Sequence, residues 1–331
     1  MPSSPPPRGI YVPVPTFFAS SSSSSYDPTS PPLDLSTQSA HSLHLAKSGI
    51  RGLVLLGSTG EAVHLTNAER KELISGVRKS LEDAGFKDYP LIAGTASQGV
   101  GETVQLLKEA KEAGAGWGLC LVPGYFAGNV SQDGLIQWFK AVADQSPLPV
   151  MVYHYPGVSN NVALPPTTME TLAAHPNIVG CKLSHGAIDD HALIASSPNI
   201  DHANFATYTG LGQQLLPVLV VGGAGAIDGL ASMFPKTVVR LYEMYKGAFE
   251  GGEVKASLEE MRKVQYTISR GEKLVARWGT IGIKEGVSRV LSMGDRDGGR
   301  MPLSGGIPGG DKEWENWRPA IEALQEMEKS L

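Results

Sequence analysis

An α/β fold, a closed (β/α)8 TIM barrel with an appended C-terminal helical layer, is the class this sequence predicts. Three observations carry it. Eight short apolar runs of β character recur along the chain, helix-forming segments stand between them, and the texture does not change from the first run to the last. Strands that alternate with helices imply βαβ units and a parallel sheet, and eight such units close a barrel. An open doubly wound sheet would instead require G-x-G-x-x-G after a strand. The stretches starting at Gly223 and Gly210 each supply two glycines and then place Asp228 or Leu215 where the third belongs.

Taken in order, the strand runs are Gly9–Thr16, Gly52–Gly57, Pro90–Thr95, Gly116–Pro123, Pro149–Tyr155, Ile178–Ser184, Phe205–Gly210 and Val218–Ile227. Helices are predicted over Leu35–Lys47, Gly101–Ala113, Gln132–Asp144, Pro166–Ala174 and Gln213–Leu216, with Gly or Pro near their ends as stop signals. Another opens at Thr66-Asn67-Ala68-Glu69, a capping-box pattern followed by apolar Leu73, Ile74, Val77 and Leu81 at helical spacing. Beyond the eighth unit, Lys236–Phe249, Val254–Ser269, Glu272–Met293 and Asp311–Leu331 are amphipathic or helix-forming. The division expected is therefore a catalytic barrel over 1–235 and a helical extension over 236–331, packed as one unit. Ala19–Pro32, with its Ser20–Ser25 run, and Gly294–Gly310 read as surface loops.

Composition narrows the function. A net charge of −5 and the absence of a Lys/Arg-rich run give no footprint for nucleic acid. No apolar run is long enough to span a bilayer, and Met1–Arg8 lacks the apolar core of a signal peptide. Two cysteines, Cys120 and Cys181, make neither a disulfide framework nor a zinc site, so a reducing cytoplasm is expected.

The residue with most chemical content is Lys182, a lone cation in Ile178-Val179-Gly180-Cys181-Lys182-Leu183. Burial disfavours an ammonium, and the neutral amine that results is a nucleophile toward carbonyl carbon. Alternation places Ile178, Gly180 and Lys182 on one strand face, at the catalytic end of the barrel. On the preceding strand, Met151, Tyr153 and Tyr155 share a face, which brings Tyr153 within reach of Lys182 as a proton relay. His154, on the other face, is read as packing. Gly57-Ser58-Thr59-Gly60-Glu61 sets two hydroxyls between glycines at a strand end, a cradle suited to a carboxylate rather than a pyrophosphate. Glu61 is read as holding that loop.

In this order and spacing the motifs resemble the dihydrodipicolinate synthase / N-acetylneuraminate lyase superfamily of pyruvate-dependent class I aldolases, over about residues 9 to 300. The elements are Val14-Pro15-Thr16-Phe17, Gly57–Glu61, Tyr153-His154-Tyr155-Pro156, Lys182, and Gly222-Gly223-Ala224-Gly225-Ala226-Ile227. The resemblance implies a Schiff base on Lys182, proton transfer by Tyr153 with Thr59 and Tyr125, and substrate binding by Gly57, Ser58, Thr59, Ser184 and Ile227. No metal or other cofactor is implied. Tyr125, in Pro123-Gly124-Tyr125-Phe126, corresponds to a tyrosine that family members reach across a tight dimer interface, so a homo-oligomer, dimer or tetramer, is expected.

Departures from the family pattern bear on the substrate. Where dihydrodipicolinate synthases carry an arginine two residues after the strand-five proline, this chain has Val158, and Leu183 stands where an acid usually follows the lysine. Lysine biosynthesis is not expected. Ala141–Pro149, His175–Lys182 and Arg277–Lys284 look closest to 4-hydroxy-2-oxoglutarate aldolases and the fungal 2-keto-3-deoxy sugar-acid aldolases beside them. The first ranks ahead of the second as the expected activity, and a hydratase-aldolase for larger pyruvates ranks third. Ser184, His185, Asn160 and Asn161 are candidates for the distal end of the substrate. The alternative of another class is a homologue that binds a ligand without catalysis.

Overall fold

The eight apolar runs become eight parallel strands hydrogen-bonded in chain order, with the last pairing the first, in the computed structural model, which describes residues 3–331. Met1 and Pro2, where the leader reading begins, lie outside the described residues. The units are β1 (Gly9–Pro13) with α1 (Leu35–Lys47), β2 (Gly52–Leu55) with α2 (Asn67–Asp83), β3 (Leu91–Thr95) with α3 (Val100–Glu112), and β4 (Trp117–Leu121) with α4 (Gln132–Gln145). They continue with β5 (Val150–His154) and α5 (Pro166–Ala173), β6 (Ile178–Leu183) and α6 (Ile188–Ala195), β7 (Ala206–Thr209) and α7 (Leu215–Val220), and β8 (Gly225–Ile227) with α8 (Pro235–Phe249). The capping box is formed: Glu69 donates its N–H to Thr66 Oγ1 at 3.3 Å, and the Glu69 carboxylate accepts from the Thr66 N–H at 2.9 Å.

Alternation sorts the strand side chains into two apolar layers. Tyr11, Val54, Ile92, Leu119, Met151, Val179, Tyr208 and Ile227 fill the barrel, and the second layer packs between strands and helices. The barrel floor is closed by Tyr11 and Tyr208, whose hydroxyls donate to the carbonyls of Pro7 and Pro6 at 2.8 and 2.9 Å.

Four expectations change. The run Val218–Ile227 is not one strand: its first residues finish α7, and only Gly225–Ile227 is β8. A short apolar run shows no period of its own, so helix and buried strand look alike there. The turn between them comes at Gly222, whose φ of +100° favours glycine. Helix α6, which carries little helical signal, was not expected. On β6 the register slips between Val150 and Met151, so Val150 pairs Ile178 while Met151 pairs Gly180. Val179 consequently joins the interior, and Ile178 packs outside with Cys181 and Leu183 rather than sharing the face of Lys182. Finally, the two helices expected over Val254–Ser269 and Glu272–Met293 are one element, α9 (Leu258–Leu291), kinked at Gly279 and not at Gly271. Gly271 is small for packing: a Cβ there would lie 2.4 Å from Leu324 Cδ1.

Helix α8 stands as the eighth barrel helix, against β1 and α7, so the layer beyond the barrel consists of α9, α10 (Gly310–Glu315) and α11 (Arg318–Ser330). Helix α9 crosses the C-terminal mouth of the barrel, where Thr280 donates to the carbonyl of Ser58 at 3.2 Å. That contact roofs the site. No helix among the described residues is long and apolar enough to cross a membrane.

Candidate active site

The register of β5 against β6 pairs Tyr153 with Lys182 directly. Both side chains point inward at the C-terminal ends of their strands. Lys182 Nζ donates to Tyr153 Oη at 3.4 Å and lies 4.5 Å from the centre of the ring, and only 4% of the residue is exposed. Burial brings the amine down to about 7, opposed by the charge of Asp228. Near neutrality a large share of Lys182 is therefore the free base. Burial pushes the Tyr153 phenol up to about 12, against hydrogen bonds from Ser58 and Ser184 that lower it. It stays protonated and can pass a proton on. The Ser58 hydroxyl sits 3.1 Å from Tyr153 Oη, completing an amine–phenol–hydroxyl chain across the mouth.

The Gly57–Glu61 loop is pinned from three sides. Thr16 donates to the carbonyl of Gly60 at 2.7 Å, Thr280 holds Ser58, and Glu61 takes a left-handed φ of +52°. The Glu61 carboxylate accepts from Lys284 at 2.5 Å and from the Arg300 N–H at 3.2 Å. Lys284 and Arg300 lie 4.5 and 4.7 Å from the centre of the Phe18 ring. Glu61 is thus occupied as the anchor between the loop and α9, as its sequence reading holds.

A cavity of about 270 Å³ opens above Lys182, with Ser58, Thr59, Tyr153, Ser184 and Ile227 in its wall. A second cavity of about 330 Å³ adjoins it across Ser58, Tyr153, Val158 and Thr280, and includes Gly57. Gly210 is required beside the lysine, since a Cβ there would stand 1.9 Å from Ser184 Oγ and 2.9 Å from Lys182 Cε. Among the described residues no group of three His, Cys, Asp or Glu side chains is arranged to hold a metal.

Five of the seven candidates other than Lys182 therefore line its cavity, Tyr153, Ser58, Thr59, Ser184 and Ile227, and a sixth, Gly57, lines the adjoining one. The hydroxyl bonded to the Tyr153 phenol is that of Ser58, while Thr59 lines the same cavity. Tyr125 is not in the wall of either cavity; it is 73% exposed, edge-on to Phe126 at 4.9 Å. His185 turns away to stack on His154 and His191, and Asn160 donates to the carbonyl of Gly124. His154 accepts from the Leu164 N–H, and burial takes it down to about 4, a neutral packing group. The sequence reading did not find Gln213, Glu272 and Thr280, which also line the cavity. Glu272 left a legible signal, because it falls on the apolar stripe of α9 with Met261, Val264, Ile268 and Val275.

The model of the dihydrodipicolinate synthetase family matches residues 25–302. A protein of Emericella nidulans named "Probable 4-hydroxy-2-oxoglutarate aldolase, mitochondrial" is 35% identical over 288 residues, covering 87% of each chain. The L-threo-3-deoxy-hexylosonate aldolase of Hypocrea jecorina is 33% identical over 293 residues, covering 87% of this chain and 88% of its own. The crystal structure of YagE from Escherichia coli K12, a dihydrodipicolinic acid synthase family protein in complex with pyruvate, superposes with a TM-score of 0.78 at 26% identity, over 96% of this chain and 98% of that one. With a family match over most of its length, on a closed barrel whose mouth gathers these residues, this chain belongs to the dihydrodipicolinate synthetase family.

Proposed function

We propose that this protein cleaves a 4-hydroxy-2-oxo acid to pyruvate and an aldehyde through a Schiff base on Lys182. That the chain is a lyase of the aldolase type follows from its family and its aldolase-named relatives; the covalent intermediate and the substrate are what the proposal adds. The observation that carries it is the buried Lys182 amine in contact with a phenol that is itself hydrogen-bonded to Ser58.

In this reading the free amine attacks C2 of the 2-oxo acid, and water leaves through proton transfers along Tyr153 and Ser58. The iminium then accepts the electron pair of the C3–C4 bond as the C4 hydroxyl loses its proton. The aldehyde departs and an enamine remains, which takes a proton at C3 and is hydrolysed to pyruvate. Ser58, Thr59 and backbone N–H groups of their loop hold the C1 carboxylate, which fixes C2 beside the amine. The chemistry is assigned to the lysine alone, without a metal or another cofactor. The expected substrates remain 4-hydroxy-2-oxoglutarate, yielding glyoxylate, and a 2-keto-3-deoxy sugar acid.

A homo-oligomer belongs to the same proposal, supported by the apolar surface of Val63, Tyr125 and Phe126, each 65% exposed or more. A cytoplasmic location is proposed on the two buried free cysteines. The test is borohydride reduction in the presence of pyruvate. An adduct of reduced-pyruvate mass on Lys182 is expected, together with pyruvate release from one of the two substrates and no loss of activity in chelator. No adduct refutes the proposal in favour of a non-catalytic ligand-binding protein.

A further inference from the structure

The burial that frees the Lys182 amine works against the step that follows. Desolvation disfavours a positive charge on that nitrogen in either form, and an sp2 imine nitrogen is less basic than an amine. A neutral imine does not draw the electron pair out of the C3–C4 bond, so the Schiff base has to be kept protonated by negative charge. The C1 carboxylate arrives with the substrate; the protein's own share must come from a fixed group. Lys182 forms no ion pair among the described residues. The titratable side chains around it are Tyr153, Tyr155 and Glu272 in its cavity wall, and Tyr208, which pairs with it from β7. Burial raises all three phenols, so they stay neutral. In the adjoining cavity the Glu61 carboxylate is matched by Lys284 and bonded to His64.

What remains is the pair made by Asp228, just after β8, and Glu272 on α9, both at most 2% exposed. A Cβ on Gly212 would lie 2.6 Å from Glu272 Oε1 and 2.8 Å from Asp228 Oδ1, so the two oxygens meet there and bond each other through one proton. Two carboxylates this close do not both ionise. Asp228 holds the charge, because the N–H groups of Ala231, Leu230 and Gly212 favour its ionised form, while burial and the Asp228 charge hold Glu272 well above the usual carboxylate range. No cation among the described residues pairs with either group. The turn after β7 joins this pair to the lysine: a Cβ on Gly210 would stand 2.9 Å from Lys182 Cε, and Gly212 lies two residues further on. The Asp228 charge is the one that opposes burial at Lys182. It acts from beyond ion-pair distance, which leaves the free amine available, through a buried region where charge carries further than in water.

We propose that the proton-sharing Asp228–Glu272 pair is the fixed counter-charge of the Schiff base, acting through Lys182 to keep the imine protonated without closing an ion pair on the free amine. The inference rests on the aldolase reading. Borohydride trapping of pyruvate, and kcat for whichever of the two acids is cleaved, are followed over about pH 6 to 10 in the full-length protein and in D228N and E272Q; the alkaline limb reports loss of the iminium proton. D228N removes the charge, since burial keeps Glu272 protonated. Its limb should move down by about one pH unit or more. Above the limb kcat and trapping then fall about tenfold, while KM changes less. E272Q keeps the Asp228 charge and leaves the limb in place. A D228N limb that does not move, or two variants shifted alike, overturns this claim alone. If D228N does not fold, nitrogen-15 resonance of the labelled wild-type lysines with pyruvate decides at about pH 8: a protonated imine is expected, and a neutral one overturns the claim. Absence of any adduct in the wild-type protein overturns this claim and the aldolase reading together.

Discussion

Lys182→Met should abolish Schiff-base formation and at the same time make the protein more stable, by an amount that depends on pH. The amine is brought from 10.5 to about 7 mainly by burial. Each pH unit of such a displacement is worth about 1.4 kcal/mol, so holding this lysine in the barrel costs the fold about 4 kcal/mol at pH 7. The sign follows from the proton count. Between pH 7 and 10.5 the unfolded lysine is charged and the folded one mostly neutral, so the unfolded state binds more protons and stability rises with pH. By pH 9 the cost has fallen to about 2 kcal/mol. Methionine matches the volume of the lysine stem and removes the titration, leaving a packing offset that does not change with pH. In a chain of 331 residues, about 4 kcal/mol corresponds to roughly 6 °C in Tm, from an unfolding entropy of about 2 cal/mol/K per residue. Guanidinium unfolding of both proteins at equal concentration from pH 7 to 9 reads the effect. The gap in favour of Lys182→Met should shrink by about 2 kcal/mol over that range. A gap that stays constant would show that Lys182 is not held as a depressed amine, and the account of its nucleophilicity would fall with it.

Two further outcomes follow from the supports around the lysine. Gly210→Ala would drive a methyl into Ser184 Oγ and Lys182 Cε, so pyruvate trapping by borohydride should drop by about tenfold or more while circular dichroism stays native; full trapping would show that the barrel has room to give. Glu61→Gln should destabilise by about 3–5 kcal/mol, because it leaves the buried Lys284 ammonium without its counter-charge. Pairing it with Lys284→Met should recover most of that loss in a denaturation midpoint, and no recovery would assign the effect to the Gly57–Glu61 loop itself.

How much of this was legible in sequence depends on the range of the interaction. The alternation of strands and helices is written in local periodicity and in turn and cap residues, so Leu35–Lys47 and the Thr66–Glu69 capping box appear where they were expected, while α6 carries too little of that signal to be found. Lys182 was legible for the same reason, since one cation in an apolar strand violates the local pattern. The β6 bulge was not, because the slip arises only when Val150 and Met151 must match strands on both sides of a closed barrel. Nor was the end of α7 separable from β8, where a run of apolar residues carries no phase.

The sequence by itself determined the barrel and the residues able to do chemistry at its mouth, because periodicity and lone polar residues in apolar strands are properties of neighbours in the chain. Only the tertiary structure decided which of those residues meet. It set Ser58 on the Tyr153 phenol, tied Glu61 to Lys284, left Tyr125 at the surface, and brought Asp228, just after β8, against Glu272 from α9. Such contacts join residues far apart in the chain. Their energies come from burial and from charge at short range, which exist only once the barrel has closed and α9 has roofed it.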